Sequence, residues 1–249
     1  MNLLRKVLFI LYRPYEWLVF FPVFFIDTLF FGIIALVVSS IFNPRIGGYL
    51  GGVLWSRFNA IIVPMFVKVS GKENIKPNSS YIVIANHQSY FDVFLIYGWL
   101  GLDIRWVMKK ELRKIPGLGF GSEKVGHIFI DRTNKRAALQ SLENAKKILV
   151  KGTSVVIFPE GTRSESGNPG AFKRGAFKLA IDFGLPILPV SVINTRKILP
   201  ANSINLMPGK AKMVIHKPID ISSYDENNMN ELMDLVKETI ISALPLMSD

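Results

Sequence analysis

Cysteine is absent from the 249 residues, which removes disulfides, Cys-based zinc sites, iron–sulfur clusters and thiol nucleophiles together. Only three histidines occur, His87, His127 and His216. They are too few for a His-rich metal centre, and no metal is expected; no cofactor is expected either. Acidic charge is scarce as well: 19 Asp and Glu stand against 30 Lys and Arg, a formal charge of +11. The shortage is uneven. From Asp220 onward there are seven acids and one base, so residues 1–219 carry +17. No Gly-x-Ser-x-Gly elbow is present, which leaves an acyl-serine hydrolase without its nucleophile.

What is abundant is apolar. Hydrophobic residues make up 49% of the chain and Phe alone occurs 18 times, far too apolar a mixture for a disordered basic tail. A basic, aromatic protein has two usual partners, nucleic acid and anionic lipid, and the N-terminus favours lipid. Between Glu16 and Arg45 the only charge is Asp27, and residues 28–44 are 17 positions without a formal charge. As a helix that run reaches roughly 25 Å, slightly short of the roughly 30 Å hydrocarbon core. It therefore predicts an anchor that dips into one leaflet, or a tilted helix with a partner, with the body on the cytoplasmic side. A cleaved signal peptide fits less well, because the stretch is long, Phe-rich and lacks an Ala-x-Ala site. Residues 46–67 follow with Trp55, Phe58, Ile61, Ile62 and Met65 at helical spacing beside Arg57. That pattern serves equally for an interfacial helix or one packed on its own domain. Pro64 ends or kinks it.

From residue 66 the pattern turns to short β-branched runs, at 66–70, 81–85, 104–108, 127–130, 154–158, 187–193 and 212–216. Helical segments at 92–100, 134–151, 173–183 and 230–244 alternate with them. Such alternation predicts an α/β fold with a largely parallel central sheet of about seven strands flanked by helices. The expected division is an N-terminal two-helix membrane anchor at 1–65 and a catalytic α/β domain at 66–249.

Two strand ends carry chemistry. After the strand at 81–85 comes Asn86-His87-Gln88-Ser89-Tyr90-Phe91-Asp92. Residues five apart diverge on a regular helix, but a strand-to-helix turn lets His87 and Asp92 meet. A carboxylate on Nδ1 would leave Nε2 free to take a proton from an alcohol; the alternative is Asp92 as a simple helix cap. The strand at 154–158 runs into Pro159-Glu160-Gly161-Thr162-Arg163-Ser164. Open α/β sheets place ligands at such ends, and Arg163 offers a fork for phosphate with Thr162 and the amides after Gly161 as further donors. A surface turn with Arg163 paired to Glu160 is the plain alternative. Asp131-Arg132 sits at a third strand end. His127 and His216 lie in apolar strand patterns and read as core or edge residues. Gly117-Leu-Gly119-Phe-Gly121 has neither the spacing nor the preceding strand of a nucleotide loop. The basic stretch at 105–124 suits lipid head groups, an acidic carrier protein or plain solvent.

In order, Asn86-His87-x₄-Asp92, Gly126-x-x-Phe129-Ile130-Asp131-Arg132, Phe158-Pro159-Glu160-Gly161-Thr162-Arg163-Ser164 and Leu185-Pro186-x-x-Pro189-Val190 resemble the blocks of the glycerolipid acyltransferases. The similarity is to the 1-acyl-sn-glycerol-3-phosphate (lysophosphatidic acid) acyltransferases. Lys109-Lys110-Glu111-Leu112 and Phe172-Lys173-Arg174-Gly175 resemble the connecting blocks. The resemblance implies transfer of a fatty acyl group from acyl-carrier protein or coenzyme A to lysophosphatidic acid at a bilayer. It implies His87 as general base and Asp92 as its orienting partner. It further implies Glu160, Gly161, Thr162 and Arg163 at the phosphate side, Arg132 assisting, and Lys109 as oxyanion donor. Rival expectations are another lysophospholipid or lyso-aminolipid acceptor, or a non-catalytic basic membrane-binding protein.

Overall fold

The computed structural model describes residues 10–131, 140–141 and 152–245. Arg132 and most of the helix expected at 134–151 lie outside the described residues. All seven expected strands form: β1 (Met65–Ser70), β2 (Ile82–Ala85), β3 (Asp103–Lys109), β4 (Ile128–Ile130), β5 (Thr153–Ile157), β6 (Ile187–Ile193) and β7 (Gly209–Ile215). They make one sheet in the order β1-β7-β6-β2-β5-β3-β4. Every pairing is parallel except β6 with β7.

The two faces of β2 alternate. Ile82 and Ile84 join a core with Val155, Phe177, Ala180, Leu232, Val236 and Ile240, beneath the helices Gly175–Phe183 and Met229–Ile241. Val83 and Ala85 join the opposite core with Phe91, Phe94, Leu95, Val156 and Val190, beneath the helix Phe91–Trp99. Strand period two thus fills both faces, as expected for a parallel sheet covered on each side.

The first helix of the expected anchor is longer than the charge-free run implies. A continuous helix spans Ile10–Ile41, long and apolar enough to cross a membrane; at 1.5 Å per residue it measures about 48 Å. The charge-free run fails as a ruler because the interrupting acids find partners within the fold. Buried Glu16 accepts a 2.8 Å hydrogen bond from Arg13, and Asp27 accepts one at 3.0 Å from Asn59 of the second anchor helix. The helix passes Pro22 through a wide π turn at Glu16–Phe20, since proline removes a donor from the ladder. Asn43 then caps the next segment, accepting from the Ile46 amide at 2.9 Å with Pro44 in the first turn. The chain returns through Pro44–Gly48, a second π turn at Tyr49–Val53 and the helix Leu54–Ile62. Val63, before Pro64, is already extended with φ −97° and ψ 99°. The anchor helix therefore stops at Ile62 and β1 starts at Met65, two residues before the end of the expected amphipathic run at 67.

This hairpin is part of the fold. Phe20 is buried in the core of the Phe91–Trp99 face, with Phe24 packed against it. At the other end, Gly32 meets Gly117 and Gly121 so closely that a Cβ on Gly32 would fall 2.2 Å from the Gly117 carbonyl oxygen. The glycine run at 117–121, which lacks the pattern of a nucleotide loop, opens the helix Leu118–Val125 on which the anchor rests.

Candidate active site

β2 and β5 are neighbours, with Ile84 opposite Ile157, so their carboxyl ends release both chemistry-bearing loops side by side. The His87 Nδ1 lies 2.7 Å from Asp92 Oδ2. A carboxylate only accepts, so this contact puts the ring proton on Nδ1 and leaves Nε2 as a base. The same oxygen accepts from the Gln88 amide at 2.6 Å and the Ser89 amide at 2.9 Å. Asp92 thus does both things the sequence allowed: it orients the imidazole and it caps the turn. Its side chain is fully buried, while that of His87 retains 17% exposure.

Neighbouring rings fix the imidazole plane. His87 stacks on Phe158 with centroids 3.9 Å apart and planes 9° apart, and Phe158 in turn stacks on Trp106 at 5.7 Å. Asn86 ties the end of β2 to β6, donating to the Val192 carbonyl at 2.9 Å and accepting from the Val192 amide at 2.7 Å.

The second loop clasps the first. Glu160 Oε1 accepts from the His87 amide at 2.8 Å, and Oε2 accepts from the Gly170 amide at 2.8 Å. Burial pushes the Glu160 carboxyl above its ordinary range, against the pull of these two amides. The Ser164 amide donates to the His87 carbonyl at 2.7 Å. Gly161 takes φ +74°, a backbone conformation that favours glycine; Lys173 Nζ is the nearest atom to the site a Cβ would fill, at 2.6 Å, and can swing aside. Arg163 does not pair with Glu160. Its guanidinium lies 3.7 Å from the centroid of the Tyr90 ring. Thr162 is exposed at the loop tip.

The fold therefore gathers His87, Asp92, Glu160, Gly161, Thr162 and Arg163 at two adjoining loops. Lys109 ends β3, its Nζ 3.8 Å from Glu111 with the side chain about half exposed, and no hydrogen bond joins it to the His–Asp pair among the described residues. Much of the basic stretch at 105–124 is compensated locally: Arg105 is buried against Asp103, Lys110 pairs with Asp131, and Arg113 pairs with Glu123. His127 is core, accepting from the Trp106 amide at 3.3 Å, and His216 Nε2 meets Ser191 Oγ at 2.8 Å. Sequence reasoning gives no role to Asn86, Tyr90, Trp106 or Lys173. An aromatic inside the Asn-His-x₄-Asp turn is the available signal for Tyr90.

A mostly parallel sheet delivers a carboxylate-held imidazole and a guanidinium to the carboxyl ends of two neighbouring strands, the arrangement of an enzyme that moves a proton beside an anion. The chain belongs to the acyltransferase family, whose model, described as Acyltransferase, matches residues 66–193, just over half of the sequence. It is 28% identical to a 1-acyl-sn-glycerol-3-phosphate acyltransferase of Chlamydomonas reinhardtii, over 98% of this chain and 71% of that protein. It is 33% identical to a chloroplastic enzyme of the same description from Brassica napus, over 74% of this chain but 55% of that protein. The chain thus spans little more than half the length of that relative. Among solved structures it resembles the 1-acyl-sn-glycerophosphate acyltransferase PlsC of Thermotoga maritima, with a TM-score of 0.77, 28% identity and full coverage of both chains.

Proposed function

We propose that this protein transfers a fatty acyl group from a thioester, acyl-carrier protein or coenzyme A, to the sn-2 hydroxyl of lysophosphatidic acid, giving phosphatidic acid. The observation that carries the proposal is the 2.7 Å contact between His87 and Asp92 beside the loop bearing Arg163. His87 Nε2 takes the hydroxyl proton as the oxygen attacks the thioester carbonyl. Asp92 holds the ring and stabilises the imidazolium. The tetrahedral oxyanion collapses, the C–S bond breaks, and the departing thiolate recovers the proton from His87. The ester bond formed and the thioester bond broken balance the step.

Arg163 and Thr162, with the amides after Gly161, receive the acceptor phosphate, with Arg132 assisting. Glu160 keeps the two loops in register, and Lys109 supports the oxyanion. A positioned base contributes about 10²–10⁴ in rate, and placement of the hydroxyl against the thioester supplies much of the rest. Residues 1–65 hold residues 66–249 at the cytoplasmic face of a membrane, where both lipid substrate and product reside.

The test incubates the purified protein with lysophosphatidic acid and each thioester donor, followed by mass identification of the lipid product. Phosphatidic acid should form, and His87→Ala should lower its rate by at least about 10²-fold with folding intact. Formation of a different acylated lipid, or substantial turnover without His87, would refute the assignment.

A further inference from the structure

Arg163 is a cation without a committed partner. It makes no hydrogen bond or ion pair with another described residue, and its Nη1 is shut off from solvent with nothing to donate to. Enclosing an N–H donor unpaired costs free energy, so something else must hold the group there. That something is Tyr90, whose ring lies under the guanidinium at 3.7 Å. Tyr90 is 57% exposed and belongs to neither core cluster, so core packing does not account for it.

The turn that carries Tyr90 is tightly braced. Ser89 Oγ donates to the Leu199 carbonyl at 2.7 Å and accepts from the Phe91 amide at 3.1 Å. The Ser89 amide is bound to Asp92. Tyr90 therefore sits on backbone already fixed by the His–Asp pair, two residues before the carboxylate and three after the imidazole.

We propose that Tyr90 is a positioning residue for the acceptor's phosphate. It fixes the plane of Arg163 while leaving the guanidinium charge and the Nε and Nη2 donors free for a phosphate monoester. This rests on the reading of Arg163 as the phosphate ligand. A carboxylate could also hold an arginine, but it would neutralise the charge and occupy the in-plane N–H groups. An aromatic face against the guanidinium plane leaves the Nε–Nη2 edge, which is not shut off as Nη1 is, available for two phosphate oxygens. The same braced turn then sets both the base and the anion site, so the distance from acceptor phosphate to reacting hydroxyl is fixed by one short segment.

The test measures initial rates of the full-length wild type, Tyr90→Leu and Tyr90→Phe against lysophosphatidic acid at saturating thioester, with thermal midpoints recorded for each. Wild-type acylation of lysophosphatidic acid checks the underlying reading separately, and its absence would overturn both. Given that activity, Tyr90→Leu should raise KM for the acceptor about 2- to 5-fold, with a much smaller fall in kcat. Tyr90→Phe should restore the wild-type KM. Adding Tyr90→Leu to Arg163→Ala should raise KM no further. An unchanged KM in Tyr90→Leu, an equal loss in Tyr90→Phe, or full additivity with Arg163→Ala would overturn the role of Tyr90 and leave the acyltransferase reading intact.

Discussion

Glu160 spends each of its two oxygens on a different backbone amide, His87 on one side and Gly170 on the other. Glutamine cannot copy that, because one of its ends donates. Glu160→Gln should therefore leave an amide facing an amide and cost about 1–3 kcal/mol, read as a fall in the denaturation midpoint together with lost turnover. His127 gives a second, pH-dependent expectation. Burial, with Arg105 nearby, pushes it down from the ordinary 6.5 to about 3. Below the ordinary value the unfolded chain binds a proton that the folded chain refuses, so stability is full above that pH and falls as pH drops toward 3. Burial lowers His216 in the same sense. Thermal midpoints between pH 6.5 and 4 should decline, and His127→Gln should flatten the slope. The His87–Asp92 pair is legible in the sequence because its partners are five positions apart on one turn. The bond from the His87 amide to Glu160 joins residues 73 positions apart, and no local pattern reports which strand end will lie beside which.

Elements divide the same way. The strands can be read because both faces of the sheet are covered, so β-branched runs such as Ile82–Ala85 are unbroken by polar residues. The first anchor helix comes out too short from sequence because charge along a chain does not reveal whether a tertiary partner answers it, as Asn59 answers Asp27. Close approach of glycine to glycine is equally silent in one dimension. At Gly32 an added Cβ would collide with the backbone of Gly117, which cannot rotate aside. Gly32→Ala should lower stability by about 1–3 kcal/mol. Gly175 supplies the control, because a Cβ added there would meet no atom within 4 Å and its φ is ordinary. Gly175→Ala should be neutral or stabilising by up to about 1 kcal/mol. Parallel thermal melts of the two variants check the contrast.

At the scale of the whole molecule, charge and hydrophobicity act in different places. Leu18, Phe25, Ile26, Phe30, Ile33, Val37 and Ile61 are exposed apolar residues of the N-terminal hairpin, while much of the basic stretch at 105–124 is answered by nearby acids. Association with lipid should accordingly survive salt. At 1 M, where charges are screened within about 3 Å, the protein should stay with sedimented vesicles, and release into the supernatant would mark it as an electrostatic binder. The hairpin also closes one side of the core, with Phe20 buried and Phe24 against Phe94. Cutting it away would uncover that side and invite precipitation. A water-soluble form is better sought by repainting the outward residues Leu18, Phe25, Ile26 and Phe30 with polar side chains, keeping Phe20 and Gly32 as they are. The leash is also a wall, and an engineer must alter its outside without touching its inside.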